Sequence, residues 1–260
     1  MRREGRDKRG LKLAAGRLVL IGAVLILWEL LIRWGLMEEE LISLPTAIMG
    51  ALIEWVRDGT LTSHLYITIL EMVAGFASGI FLGIAVGLIF ALSDRLARIF
   101  DPLMVLLNSM PRVVLTPLFI LAFGLGLLSK VALIITMVFF PVFFNTLSGL
   151  KSIERDLIDN VLLLGASKVD LIRHLYLPSA LVWIFASLRV SVGYALMGAI
   201  IGEYMGSLKG LGNVILLAQA SFQINKVMAG LTVLAIMVAI LDAALRRVER
   251  RYSLWKLEAI

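Results

Sequence analysis

Long apolar runs constrain the fold of this chain more than any other feature of its sequence. Six runs of about 20 residues alternate with polar segments, and a helix of that length crosses the roughly 30 Å of a bilayer's hydrocarbon core. Only 17% of the 260 residues are charged, against about a quarter in soluble domains. The sequence therefore predicts an all-α membrane protein with about six transmembrane helices, at residues 18–34, 65–92, 103–123, 131–147, 180–204 and 227–245.

The distribution of Lys and Arg predicts how these helices are oriented. If the N-terminus is cytoplasmic, the segments on that side hold about 18 basic residues and the outside segments hold about 5, one of which is Lys130. We therefore expect basic cytoplasmic tails at 1–17 and 246–260 around a membrane domain at 18–245. The net charge of +6 then follows from topology and lipid headgroups, so no nucleic-acid partner is expected.

Several kinds of chemistry lack the residues that they need. The chain has no cysteine and only two histidines, His64 and His174, so neither a disulfide nor an imidazole metal cluster is expected. It has no Gly-x-x-x-x-Gly-Lys-Ser/Thr loop for ATP phosphates, and neither His-Glu-x-x-His nor Gly-x-Ser-x-Gly. We expect no catalytic residue, metal or bound cofactor in this chain.

Glycines recur at helical spacing in two of the predicted spans. In the second span every fourth residue from Gly75 to Gly87 is glycine, which leaves one face of the helix without side chains and lets another backbone approach. Two interpretations remain open, a fixed packing face and a seam that slides during transport. The ridge consists of Gly75, Gly79, Gly83 and Gly87, and Gly198, Gly202 and Gly206 repeat the pattern in the fifth span.

Charged residues at membrane depth are candidates for a translocation pathway. Arg112 lies in the third span between Pro111 and Pro117, which break or kink a helix, and broken backbone is tolerated in a membrane where it is buried or lines a cavity. Arg112 therefore either lines a pathway, pairs with an intramembrane carboxylate or lies at the interface. Glu71 and Glu203 are the candidate partners and further pathway candidates.

The polar segment 149–178 is the one sizeable insertion predicted on the cytoplasmic side. Its pattern predicts two short helices, 154–164 capped by Ser152 and 168–177 opened by a capping box between Ser167 and Asp170. Gly165 suits the left-handed corner between them. Such a bent pair is either a docking surface for a soluble partner or an amphipathic connector on the membrane.

The residues of this segment resemble a family signature. Asp159-Asn160-Val161, then Gly165, then Leu175-Tyr176-Leu177-Pro178 is similar in spacing to the Glu-Ala-Ala, Gly and Ile-x-Leu-Pro loop of binding-protein-dependent ABC importer permeases. The triplet departs from Glu-Ala-Ala, with Asp159 keeping a carboxylate on a shorter arm. Within that superfamily the chain resembles the nitrate/sulfonate/taurine type, whose permeases are transmembrane subunits of type I importers.

The resemblance implies an expected function and a set of partners. It implies a multi-pass subunit of the plasma or inner membrane that imports a small anion or a vitamin precursor, paired with a second permease copy. Cytoplasmic ABC ATPase subunits would use ATP and Mg²⁺, and an extracytoplasmic binding protein would deliver the solute. The coupling positions that it implies are Asp159, Gly165, Ala166, Ser167, Leu177 and Pro178.

A second class of function remains open on the residues alone. An ion-coupled carrier or channel would need no ATPase, and the intramembrane residues Glu71, Arg112 and Glu203 favour it. It gives no reason for a patterned cytoplasmic segment with a glycine corner. A membrane-embedded enzyme is a third and weaker alternative.

Overall fold

A computed structural model describes residues 2–38 and 42–253 of the chain, and those residues form helices joined by short turns. The helices are α1 (Arg2–Arg33), α2 (Pro45–Arg57), α3 (Thr60–Ala91), α4 (Asp94–Ser109), α5 (Thr116–Phe123), α6 (Leu127–Lys151), α7 (Arg155–Leu163), α8 (Lys168–Leu171), α9 (Leu177–Gly206), α10 (Leu211–Ala220) and α11 (Ile224–Ser253).

Within the described residues, four helices are long and apolar enough to cross a membrane. They are α3, α6, the part of α9 from Trp183 to Gly206 and the part of α11 from Ile224 to Arg247. The pair formed by α4 and residues Arg112–Phe123, which are bent by 88°, is apolar enough to be either a fifth, broken crossing or a re-entrant loop. The first predicted run, 18–34, falls mostly in α1. The all-α membrane fold predicted from the apolar runs is confirmed.

The third predicted span is broken in the structure rather than continuous. Met110 has extended dihedrals, Pro111 follows it, and a 3₁₀ turn at Arg112–Leu115 leads into α5. Proline has no N–H to donate and disfavours helical dihedrals in the preceding residue, which accounts for the break. Arg112 therefore lies at a corner, not in the middle of a straight helix.

The contacts divide the chain into two compact units. One consists of the described parts of Met1–Thr62 with Ile215–Val233, and the other of Ser63–Val214 with the described part of Leu234–Ile260. In the first unit, Ile48, Ala51 and Trp55 of α2 are buried. The Glu29 carboxylate of α1 accepts hydrogen bonds from Arg33 and from the Thr46 N–H and hydroxyl at the start of α2. These polar partners offset the cost of a charge in an apolar helix.

In the second unit, α6 packs between the two glycine-bearing helices. A Cβ added to Gly79 would lie 2.8 Å from the Val138 Cβ, and one added to Gly83 would lie 2.8 Å from the Val142 Cβ and 2.9 Å from the Phe139 carbonyl oxygen. These distances leave no room for a methyl group. From α9, the backbone at Gly198 approaches Ile134 and Met137 in the same way. The ridge of α3 therefore lies against α6, as do Gly198 and Gly202 of α9, whereas Gly206 lies against Ile120 and Leu125.

Candidate functional site

The segment 152–182 lies between two candidate spans, α6 and Trp183–Gly206, and it contains the predicted two-helix loop. α7 begins at Arg155, with Glu154 as the N-cap residue in extended conformation. The predicted N-cap, Ser152, was wrong. Ser152 has helical dihedrals and its hydroxyl donates to the Gly149 carbonyl at 2.9 Å, because it terminates α6 instead of opening α7.

The corner between the two short helices is at Gly165, as the sequence predicted. Gly165 has φ of +86°, its N–H donates to the Leu162 carbonyl at 2.9 Å, and the Ala166 N–H donates to the Val161 carbonyl at 3.3 Å. This pair of bonds is the Schellman motif that closes a helix with a left-handed residue. No described atom lies within 4 Å of a Cβ built on Gly165, so glycine is needed here for the backbone and not for packing.

The capping box predicted after the corner is present. The Asp170 carboxylate accepts from the Ser167 N–H at 3.0 Å and from the Ser167 hydroxyl at 2.6 Å, and the Asp170 N–H donates back to that hydroxyl at 3.2 Å. These bonds from Ser167 hold the pKa of Asp170 below its usual value of 3.8. The box fixes where α8 starts relative to Gly165.

The second short helix differs from its predicted form, 168–177. α8 ends at Leu171, a π-helical turn covers Ile172–Tyr176, and α9 starts at Leu177 with Pro178 in its first turn. Pro178 has no N–H for the carbonyl four residues earlier, which favours a wider turn at this point. From Lys168 onward, α8, the π-helical turn and α9 therefore follow one another without an intervening loop.

Apolar side chains cluster on the exposed surface of this loop. Leu163 and Leu164, at the end of α7, are 85% and 88% exposed, and Leu157, Leu162 and Val169 are exposed as well. Asp159 lies on the same helix and is also exposed. Because α7 lies outside the candidate spans, a lipid-facing position inside a span does not account for these side chains.

The two intramembrane carboxylates, Glu71 and Glu203, lie together in the second unit. Both are buried, and Glu203 is 0% exposed. The Glu203 Oε1 accepts from the Thr68 hydroxyl at 2.6 Å, and its Oε2 accepts from the Gly212 N–H at 2.6 Å. Glu71 contacts the Glu203 carboxyl, and its own Oε2 has no hydrogen-bond partner among the described residues.

Lys130 belongs to this cluster and lies within α6, whereas the predicted span began one residue after it, at 131. It lies in the first turn of α6, is 1% exposed, and its ammonium donates to the carbonyls of Leu125 and Gly126. Its positive charge acts on both Glu71 and Glu203. Lys130 counts as an outside charge in the sequence because the predicted apolar run starts one residue after it. In the structure it is a buried partner of two carboxyl groups.

The structure gives Arg112 partners other than the predicted carboxylates. Its Nη2 donates to the Asn108 carbonyl at 2.9 Å and to the Asn108 Oδ1 at 2.5 Å, and its guanidinium carbon lies 5.1 Å from the centre of the Phe140 ring. Its buried Nε has no hydrogen-bond partner among the described residues. At the corner between α4 and α5, the Nε–H of the Arg112 guanidinium is therefore an unused hydrogen-bond donor within the described part of the chain.

Sequence reasoning missed two polar members of the Glu203 cluster, His64 and Thr68. His64, Thr68 and Glu71 are spaced by four and three residues, so one face of α3 carries all three, and this spacing was the signal available in the sequence. Within the described residues, no group of three or more His, Asp or Glu side chains could hold a metal ion.

Known proteins of similar sequence and fold agree with this architecture. Residues 79–254 match the family model for the binding-protein-dependent transport system inner membrane component. The chain is 32% identical to the putative aliphatic sulfonates transport permease SsuC of Bacillus subtilis (strain 168), over 92% of this chain and 87% of that protein. It is 31% identical to the taurine transport system permease TauC of Escherichia coli (strain K12), over 76% and 72%.

A third relative and one solved structure extend the comparison. The formylaminopyrimidine transport permease ThiX of Halalkalibacterium halodurans is 30% identical, over 90% of this chain and 92% of that protein. A chain of the inward-facing MetNI methionine ABC transporter superposes with a TM-score of 0.62 at 19% identity, covering 76% of this chain and 96% of its own length. This fold is the type I importer transmembrane fold. The chain therefore belongs to the family of binding-protein-dependent inner membrane transport components, as a permease subunit of an ABC importer.

Proposed function

We propose that segment 149–178 is the docking site of a cytoplasmic ABC ATPase, which uses ATP and Mg²⁺ to move the spans of this permease. The observation that carries the proposal is the exposed apolar surface at the end of α7, beside the corner at Gly165. Apolar residues on a surface outside the membrane favour a protein partner, since water does not solvate them well.

The geometry of the loop suits the transmission of force. The Schellman motif at Gly165 and the capping box at Ser167 fix the angle between α7 and α8 by backbone and short side-chain bonds. The π-helical turn then joins α8 directly to α9. A partner that pushes on α7 would therefore move the start of the fifth span, with Asp159, Ala166, Leu177 and Pro178 along the path.

The proposal includes the orientation and the remaining partners. Both termini would be cytoplasmic, because the loop and the basic tails then lie on one side. A second copy of the permease would complete the pathway, and an extracytoplasmic binding protein would deliver the substrate. The chain would be surrounded by membrane lipid and would carry out no catalysis itself.

For the substrate, we propose a small anion such as a sulfonate, taurine or nitrate. The relatives include permeases described for aliphatic sulfonates and taurine, and Arg112 has a buried Nε–H without a partner among the described residues. Guanidinium donors bind oxyanions well. We keep Arg112 as the pathway residue, since Glu71 and Glu203 are engaged with each other. A neutral vitamin precursor, as described for ThiX and the riboflavin permease RibX of Chloroflexus aurantiacus, is the alternative.

Replacing Gly165 with valine tests the coupling role. A β-branched residue at φ of +86° is strained, so Gly165→Val should open the corner, abolish copurification of the ATPase subunit and stop uptake, while membrane insertion continues. The matched control is Gly59→Val, because Gly59 also has positive φ (+78°) with no described atom within 4 Å, but lies between α2 and α3.

The measurements are copurification of the ATPase from detergent-solubilised membranes and uptake in whole cells. The control variant should keep both at the level of the unmodified protein. Full ATPase binding and uptake in Gly165→Val would contradict the docking assignment. Equal losses in both variants would show that strain anywhere in the chain has the same effect, and would also contradict it.

A further inference from the structure

Three side chains from two spans bond the three successive backbone N–H groups of Gly210, Leu211 and Gly212. The Gly210 N–H donates to the His64 Nδ1 at 3.0 Å, the Leu211 N–H to the Thr68 hydroxyl oxygen at 2.9 Å, and the Gly212 N–H to Glu203 at 2.6 Å. The first N–H groups of a helix have no acceptor within that helix. Here the acceptors for all three N–H groups lie outside α10. We call His64, Thr68 and Glu203 the clip, and residues 210–212 the clipped turn.

The clipped turn is built around the Glu203 carboxyl. Gly210 has φ of +118°, and a Cβ on it would overlap the Glu203 carboxyl group. A Cβ on Gly212 would lie 2.9 Å from the Glu203 Cβ and 2.7 Å from the Ile200 carbonyl oxygen. The two glycines are thus required by the approach of the backbone to a buried charge.

The clip is connected to the rest of the buried cluster by its charges. Glu71 contacts Glu203, and Lys130 acts on both carboxyls while its ammonium donates to carbonyls of residues 125 and 126. The cluster therefore joins the start of α3, the start of α6 and the end of α9. One span, Trp183–Gly206, separates it from the loop at 149–178, so it lies at the opposite membrane face.

We propose that the clip is a polar latch, which holds the spans of residues 63–214 closed at the face opposite the coupling loop and opens in each transport cycle. A contact made by a carboxylate, a hydroxyl and an imidazole can separate into water, because water replaces each hydrogen bond. An apolar contact at the same place would expose hydrocarbon when it opened. The direction of opening, toward the outside, rests on the orientation proposed above.

A single introduced cysteine tests whether the clip keeps the turn closed. The chain has no cysteine of its own, and Leu211 is buried, so Leu211→Cys should react slowly with a membrane-impermeant maleimide. Adding Thr68→Val removes the acceptor of the Leu211 N–H and should speed labelling about tenfold. Adding Thr68→Ser keeps the hydroxyl and should leave labelling slow. Equal rates in the valine and serine variants would overturn the proposal, and this measurement needs no ATPase.

Labelling during turnover tests whether the clip opens during transport. In the complete transporter, Leu211→Cys should react faster with the maleimide when Mg²⁺-ATP and substrate-loaded binding protein are supplied than when they are absent, since Leu211 is buried in the closed state. Equal labelling rates under the two conditions, in a preparation that takes up substrate, would show a static cap and would overturn the latch. If Gly165→Val kept ATPase binding while labelling of Leu211→Cys showed that the clip opens, only the coupling role of the loop would be contradicted.

Discussion

At the scale of single residues, the same left-handed helix ending is made by a glycine at residue 165 and by a phenylalanine at residue 222. Gly165 ends α7, whereas Phe222 ends α10 with φ of +53°. The hydrogen bonds correspond, since the Phe222 N–H donates to the Gln219 carbonyl and the Gln223 N–H to the Ala218 carbonyl, at 3.0 and 2.9 Å. An L side chain at such a position costs about 1–2 kcal/mol relative to a right-handed one. Phe222 bears this cost while its ring is 88% exposed.

The effect of replacing Phe222 on the free energy of unfolding can therefore be predicted in direction. Phe222→Gly should raise the free energy of unfolding by about 1 kcal/mol relative to Phe222→Ala, because both remove the ring and only glycine relieves the backbone strain. Reversible unfolding of the two variants in mild detergent measures the difference. Equal stabilities, or a more stable alanine variant, would show that the turn relaxes without cost.

The identity of buried polar residues was partly predictable, and their partners were not. Glu71, Glu203 and Arg112 stand out as charges within apolar runs. The sequence does not show that Glu203 accepts the Gly212 N–H, because that contact depends on the turn after α9. Nor does it show that Arg112 bonds Asn108, because that contact depends on where the third span breaks. The burial of Lys130 was not predictable for a related reason, since its ammonium donates to carbonyls at the start of its own helix.

At the scale of helices, the glycine ridge of α3 sets how closely α3 and α6 approach. Without a hydrophobic force between helices in lipid, dispersion contacts at short range stabilise the pair. The ridge faces residues that are themselves buried, among them Val138 and Val142 at 0% exposure.

Two alanine substitutions separate packing from helix propensity. Gly83→Ala should destabilise the protein by about 1–3 kcal/mol, because the added methyl meets Val142 and the Phe139 carbonyl. Gly193→Ala in α9 is the control, since no described atom lies within 4 Å of its Cβ, and it should be neutral or stabilising by up to about 1 kcal/mol. Thermal unfolding in detergent compares the two. A Gly83→Ala protein as stable as Gly193→Ala would contradict the close approach.

Helix boundaries were predictable where local chemistry fixes them. The Gly165 corner and the Ser167–Asp170 box depend on neighbours within a few residues, and the structure has both. The N-cap at Ser152 was predicted wrongly, because the serine serves the end of the preceding helix. The π-helical turn before Leu177 has no sequence signal of its own apart from Pro178.

At the scale of the whole molecule, the fold class followed from the apolar runs, and the family assignment followed from the loop motif.

The function as an importer subunit predicts that transport requires a second kind of chain. Proteoliposomes that contain this permease, its ATPase and a binding protein should take up an alkanesulfonate when Mg²⁺-ATP is supplied. The permease alone should take up none under a proton or sodium gradient. Uptake by the purified chain under such a gradient would favour the ion-coupled carrier instead.

The placement of Ile134 restricts how relatives of this chain can diverge. A Cβ on Gly75 would lie 2.5 Å from the Ile134 Cβ, and one on Gly198 would lie 3.0 Å from the Ile134 Cγ1, so a single side chain fills the space beside two other backbones. Drift at either glycine is blocked as long as the isoleucine stays. The contact at Gly75 is with the Cβ of Ile134, which every residue except glycine carries, so a shorter side chain at 134 gives no room for a methyl at Gly75. At Gly198 the Met137 Sδ would lie 2.9 Å from the same added Cβ, so a methyl there requires changes at both 134 and 137.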